Sequence, residues 1–226
     1  VVGMTSLGSS CLKYMVQLQP ELHQRGFDLA VFHTTGMGGR AFESLAARGQ
    51  FACVMDFSLQ EMINQMGGSV VSAGPERLMG AGLNGVPMIV APGATDLVDY
   101  PAWGQMPERF AGRPSHEHNR LIASVGIDAN MRREFAHELV NRLSQAKGPV
   151  HLVLPELGIE EWDRPGAPMH DPEGLAAMMD EFDKCNLEGI EVSRIQSHIN
   201  DAGFVQQVLA VFDDWVDRGL VKKVAQ

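Results

Sequence analysis

A chain of 226 residues, 45% hydrophobic and 20% charged, has the make-up of an ordinary globular protein and can enclose one large α/β core. Its net charge of −10 disfavours general nucleic-acid binding or an anionic-membrane surface, though not a local basic pocket for a small anion. Three widely spaced cysteines, Cys11, Cys53 and Cys185, suit buried thiols in a reducing compartment, not a disulfide framework or zinc knuckle.

Residues 1–5 predict a strand at once, which argues against a signal peptide; with no initiator Met, the chain is expected to be cut from something longer. Ser6-Leu7-Gly8-Ser9-Ser10 forms a loop, and Leu12, Met15, Val16, Leu18 and Leu22 recur at helical spacing over residues 11–24. A strand follows at 29–33, then a helix at 39–48 closed by Gly49. Residues 51–57 predict a strand, 59–66 a helix ending in Gly67-Gly68, 77–83 a short helix, and 87–91 a strand stopped by Pro92-Gly93-Ala94. The stretch 95–120 predicts a long ordered loop, a feature more often functional than idle. A strand at 120–125 leads to a helix over 128–146, with Asp128 as N-cap and Gly148-Pro149 as stop. A strand at 150–154, a loop at 155–172, a helix at 173–185, a strand at 191–195 and a helix at 201–218 complete the chain.

This alternation implies one doubly wound α/β domain, Rossmann-like, with a mainly parallel sheet and helices on both faces. The strands at 1–5, 29–33, 52–57, 88–91, 150–154 and 191–195 should share one sheet, their carboxyl ends along one edge. Ligands of open α/β sheets bind beyond that edge, where the strand order reverses. No apolar run approaches the roughly 20 residues of a membrane helix, and cytoplasm is the expected compartment.

Candidate ligand residues collect on the presumed edge. His33-Thr34-Thr35-Gly36-Met37-Gly38-Gly39-Arg40 closes a strand and opens a helix. There Gly36, Gly38 and Gly39 allow close backbone approach, Thr34 and Thr35 offer hydroxyls, the helix start favours an anion, and Arg40 could grip it. A tight turn with a capping Thr explains the same residues without a ligand. Ser6, Gly8, Ser9 and Ser10 form a second loop of this kind, and Ser72 and Gly74 begin a third, Ser72-Ala73-Gly74-Pro75-Glu76-Arg77. Arg77 reads as a solvated residue. Asp56 ends a strand where a carboxylate could hold a ribose hydroxyl or Mg²⁺; Ser58 reads as a helix cap.

A polar set in the later loops suits a divalent cation or acid–base chemistry: His118, His170, Asp171 and His198, with Asp96 and Asp201 nearby in type. It lacks diagnostic metal-site spacing, and capping accounts for Asp171 and Asp201 equally well. The methionines, including Met62, Met66, Met178 and Met179, read as core filler.

Several motifs occur in order: Gly3-Met4-Thr5, the run from His33 to Arg40, Ser72-Ala73-Gly74-Pro75-Glu76-Arg77-Leu78, Pro107-Glu108-Arg109-Phe110, Glu117-His118-Asn119, His170-Asp171-Pro172 and His198-Ile199-Asn200-Asp201. Together they resemble the carboxy-terminal half of a largely uncharacterised family that includes a plant protein inhibiting tobamovirus replication, whose members are described as ATP-binding. The resemblance covers nearly the whole chain. It implies the second lobe of a two-lobed protein, nucleotide binding and self-association. The Gly-Thr-x-Asp-Thr-Lys-Gly-type loop that opens the family's first lobe has no counterpart here, so that lobe could hold most of the ATP contacts.

The leading expectation is a lobe binding ATP or another phosphate-bearing small molecule, in contact with a preceding lobe. A metal-assisted hydrolase or lyase using the loop His and Asp residues is the alternative, and a non-catalytic, ligand-dependent assembly module the third. A homodimer is expected through the aromatic-rich stretch 98–110, which holds Tyr100, Trp103, Met106 and Phe110.

Overall fold

The computed structural model describes residues 1–8 and 11–222. The first half runs β1 (Val2–Ser6), α1 (Lys13–Gln24), β2 (Leu29–His33), α2 (Met37–Ala47), β3 (Cys53–Asp56), α3 (Gln60–Gly67), α4 (Met79–Leu83) and β4 (Met88–Val90). The second runs β5 (Leu97–Pro101), β6 (Ser115–Glu117), β7 (Ile122–Gly126), α5 (Ala129–Leu143), β8 (Val150–Pro155), α6 (Pro172–Phe182), β9 (Ile190–Ile195) and α7 (Ala202–Asp217).

Six strands form the main sheet in the order β2-β1-β3-β4-β8-β9, every neighbouring pair parallel. Side chains alternate across it, as the two-residue strand period requires. Val54, Met88, Val90, Leu152 and Leu154 pack with α2, α3, α4, α5 and α6 on one face. Val2, Met4, Met55, Ile89 and Val153 pack with α1 and α7 on the other. The expected doubly wound architecture is therefore present. From β1 the chain winds first to β2 and then, past β1, to β3, so the order reverses beside β1 and β3.

The stretch 95–120 departs from the loop expected there. β5 and β6 flank β7 in a small antiparallel sheet. Its anchor is apolar: Val98 and Phe110 are buried, and Tyr100 and Met106 pack against the core. β5 lies so close to α3 that a Cβ on Gly67 would stand 2.6 Å from the Val98 side chain. Trp103 alone of the four expected interface residues is largely exposed, at 73%.

Asp128 and Asp171 cap α5 and α6 as expected, accepting from Met131 N at 2.8 Å and Gly174 N at 2.9 Å. Asp201 differs: it makes no side-chain cap and instead binds Arg164 Nη2 at 2.7 Å. Cys11 and Cys53 are buried free thiols, and Cys185 is half-buried. Among the described residues, no helix is long and apolar enough to cross a membrane.

Candidate functional site

The ends of β1, β2 and β3 meet in a polar network beneath the ligand edge. Thr5 Oγ1 donates to Asp56 Oδ1 at 2.7 Å and accepts from the Phe57 and Ser58 amides at 3.0 Å. Arg77, a fully buried guanidinium, grips Asp56 through Nη1 at 2.5 Å and Nη2 at 2.7 Å, Glu61 through Nε at 3.1 Å, and Glu43 at 2.9 Å. Burial opposes its charge, yet the three carboxylates outweigh that effect and hold Arg77 above its ordinary value. The solvated surface position expected for Arg77 is corrected accordingly: a side chain surrounded by three acids loses less by leaving water.

The Gly-rich loop ends on the same network. Gly36 N donates to Glu61 Oε1 at 2.5 Å, and Gly39 N to the same oxygen at 3.1 Å. A Cβ on Gly39 would stand 1.7 Å from Glu61 Oε2, which explains the glycine. The start of α2 thus has an internal carboxylate as its anion. Thr34 Oγ1 bonds Ser6 O at 3.0 Å and Ser58 Oγ at 2.7 Å, so Ser58 braces Thr34 and does not cap α3. Gly38 sits tight on β2, where a Cβ would come 1.8 Å from His33 O. Ser72 Oγ bonds Gln65 at 2.6 Å and accepts from Gly74 N at 2.9 Å, while Arg40 reaches Ser72 O at 3.4 Å beside a separate groove with Glu43 and Glu76.

Above this network, at the strand-order reversal, lies a cavity of about 240 Å³. Leu7 and Gly8 after β1, His33 at the end of β2 with Thr35 beyond it, and Gln60 after β3 form its floor. Asp99 of β5, Ile122 of β7, and His118 and Asn119 in the turn between β6 and β7 roof it. Of the expected ligand residues, Gly8 and Thr35 reach this cavity. Ser6, Thr34, Gly36, Gly39 and Asp56 belong to the network beneath it, and Ser9 and Ser10 lie outside the described residues.

The cavity wall mixes donors and acceptors. Gly8 N donates to His33 Nδ1 at 3.3 Å, which leaves the proton of a neutral His33 on Nε2. Asn119 Oδ1 accepts from Leu121 N at 2.7 Å and Ile122 N at 3.0 Å, so its amide nitrogen is the remaining donor. Gln60 gives Nε2 to Asp99 at 2.9 Å, keeping its carbonyl oxygen as an acceptor. Asp99 also accepts from Asn64 at 3.1 Å and Ser124 at 2.5 Å; burial pushes its carboxyl above the usual range against these bonds. Burial holds the His118 imidazole below its ordinary value. Its ring lies 4.3 Å from that of Trp162, linking the roof to the loop after β8.

The candidate metal ligands separate into two places. His118 is in this roof, whereas His170, Asp171 and His198 line a different cavity at the ends of β8 and β9. His198 uses both ring nitrogens, accepting from Asn200 N at 3.0 Å and donating to Glu160 O at 2.9 Å. Among the described residues, no three His, Cys, Asp or Glu side chains are placed to hold a metal ion. That second cavity is larger, about 490 Å³, but the reversal point is where this fold class presents ligands. Gln60 and Asp99 are the residues the geometry adds; His33 and Asn119 stood in the candidate motifs without an assigned ligand role. Both carried a usable signal, His33 at the end of a strand beside the Gly-rich run and Asn119 in the Glu117-His118-Asn119 motif.

Residues 1–216 match the model of the uncharacterised protein family UPF0261, C-terminal domain. A UPF0261 protein of Brucella melitensis biotype 1 is 50% identical over 223 residues, covering 99% of this chain and 53% of that protein. A UPF0261 protein of Clostridium tetani is 30% identical over 184 residues, covering 81% and 46%. The ToMV resistance protein Tm-1(GCR237) of Solanum lycopersicum is 29% identical over 215 residues, covering 93% of this chain and 28% of that protein. The chain spans about half the length of the bacterial relatives. A solved structure from Mycobacterium smegmatis in complex with β-D-fucofuranose, 11% identical and covering 94% and 60%, superposes with a TM-score of 0.27, too loose to carry an argument.

Proposed function

This chain belongs to the UPF0261 C-terminal domain family, and we propose that it is a small-molecule-binding lobe taking a phosphate-bearing polyol of the nucleotide class. The observation that carries this reading is the cavity at the strand-order reversal, floored by three strand-end loops and roofed by the small sheet.

Its chemistry argues for a hydroxyl-first orientation. Asp99 and the Gln60 carbonyl accept hydrogen bonds, while His33, Asn119 and Thr35 donate them. That balance suits sugar hydroxyls, each both donor and acceptor. Among the described lining residues there is no Lys or Arg, and Asp99 would repel a phosphate inside. The phosphate therefore belongs on the exposed Gly8 and Thr35 side of the cavity, away from Asp99, with the ribose toward Gln60 and Asp99. The role expected of Asp56 passes to Asp99 and Gln60, which line the cavity, whereas Asp56 is held by Thr5 and Arg77 in the network beneath it. A thermal-shift series with phosphate, ribose, ribose 5-phosphate, ADP and ATP tests this. Stabilisation by the sugar phosphates beyond that by phosphate supports the orientation, and equal or absent shifts oppose it.

Self-association through the second sheet is part of the same proposal. Trp103 is 73% exposed and Leu121 63%, and the two are brought together where Ala102 N donates to Leu121 O at 3.1 Å.

A further inference from the structure

The cavity of about 490 Å³ at the ends of β8 and β9 has a composition opposite to that of an anion site. Five carboxylates line it, those of Glu156, Asp163, Asp171, Asp180 and Asp201, against two guanidiniums; Arg132 and Arg113, behind the lining, pair with Asp171 at 3.3 Å and 3.7 Å, so the surplus negative charge rests on Asp163 and Asp180. Both guanidiniums are committed: Arg164 to Glu161 at 2.9 Å and Asp201 at 2.7 Å, Arg194 to Glu156 and Asp183 at 2.7 Å each. The rest of the lining is largely apolar, from Leu157, Leu175, Ala176 and Met179.

One acceptor faces the cavity and a second lies buried behind it. His170 Nδ1 donates to Asp163 O at 2.6 Å, so in the neutral form of this exposed ring Nε2 carries the lone pair. Asp163 is 6% exposed, and its Oδ1 accepts no hydrogen bond among the described residues. His198 Nε2 stands 3.3 Å from it but gives its proton to Glu160 O. Gly158, at φ +138°, lets this pair close up: a Cβ there would stand 2.4 Å from Asp163 Oδ1 and 2.3 Å from the His198 ring. Negative charge and free lone pairs over an apolar floor call for a cation with a hydrocarbon body. The absence, among the described residues, of a three-ligand metal group points away from a bare ion.

We propose that this cavity binds an organic amine, its ammonium group near His170 Nε2 and the carboxylates, its hydrocarbon part against Leu157, Leu175 and Met179. The site is independent of the crevice above β1 and β3. Titration calorimetry on the whole chain with benzylammonium, against the neutral isostere benzyl alcohol, tests it. Benzylammonium should bind, with benzyl alcohol about tenfold weaker, the loss of one charge-assisted hydrogen bond. His170→Gln and Asp180→Asn should each weaken the amine several-fold, and Ala176→Trp, on an exposed lining position, should block it while leaving ribose 5-phosphate binding intact. Equal binding of amine and alcohol, no amine binding at millimolar concentration, or amine binding unchanged in Ala176→Trp would overturn the proposal.

Discussion

Arg77 holds Asp56 by a two-pronged contact, Nη1 to Oδ2 at 2.5 Å and Nη2 to Oδ1 at 2.7 Å, with both side chains sealed from water. The pair joins the end of β3 to the loop before α4 and sets the floor under the candidate site. Arg77→Met would leave Asp56 buried without its counter-charge, and a loss of about 3–5 kcal/mol is expected. Arg77→Lys, which keeps the charge but not the fork, should lose less. Urea denaturation of the three proteins measures this; a change under about 1 kcal/mol for Arg77→Met contradicts the assignment.

Glu61 acts as the built-in anion of the loop that opens α2. Glu61→Ala should destabilise by about 3–5 kcal/mol, since two buried amides lose their acceptor and buried Arg77 loses one of its three carboxylates. It should also give the protein a sulfate-dependent rise in Tm, because the freed amides form an anion site. Sulfate stabilising wild type and variant alike would show that the loop amides are not what Glu61 occupies.

Asp96 makes stability depend on pH. It is 1% exposed, and neither carboxylate oxygen has a hydrogen-bond partner among the described residues. Burial pushes its carboxyl up to about 7, with Arg132 opposing and Asp163 reinforcing the rise. In the unfolded chain it titrates near the ordinary aspartate value of about 4. Between those values the folded protein holds a proton that the unfolded chain has released, so stability falls as pH rises through the window and levels off above it. Asp96→Asn should flatten that slope, matching wild type near pH 4 and exceeding it at pH 8 by an amount on the order of a few kcal/mol. Parallel pH profiles for the two proteins contradict it.

The main sheet was legible because β-branched runs such as Val150–Pro155 sit between glycines, prolines and amphipathic helices. Of the small sheet only the central strand β7 was, expected at 120–125 and found at Ile122–Gly126. β6 is Ser-His-Glu with every side chain exposed, and β5 holds Asp99 and Pro101, so neither shows a strand's hydrophobic period. The same limit governs the site. Glycines and hydroxyls at strand ends mark the ligand edge, but nothing local reveals that Glu61, 22 residues beyond Gly39, takes the loop amides. Arg77 likewise looks like any surface arginine until Glu43, Asp56 and Glu61 are brought around it.

Exposed Trp103 and Leu121 predict self-association. Light scattering should give a homodimer at high micromolar concentration and a shift toward monomer in Trp103→Ala. A monomeric wild type ends the dimer assignment, and an unaffected dimer in the variant moves the contact elsewhere.

The central claim is that the crevice above β1 and β3 takes a sugar phosphate hydroxyl-first. Titration calorimetry of ribose 5-phosphate into wild type and Gln60→Leu tests it most directly, since that substitution removes one acceptor from the cavity while leaving the Arg77 network in place. Saturable binding by wild type, weakened about tenfold or more in Gln60→Leu, is the predicted result. No binding by wild type, or equal binding by both proteins, would contradict it.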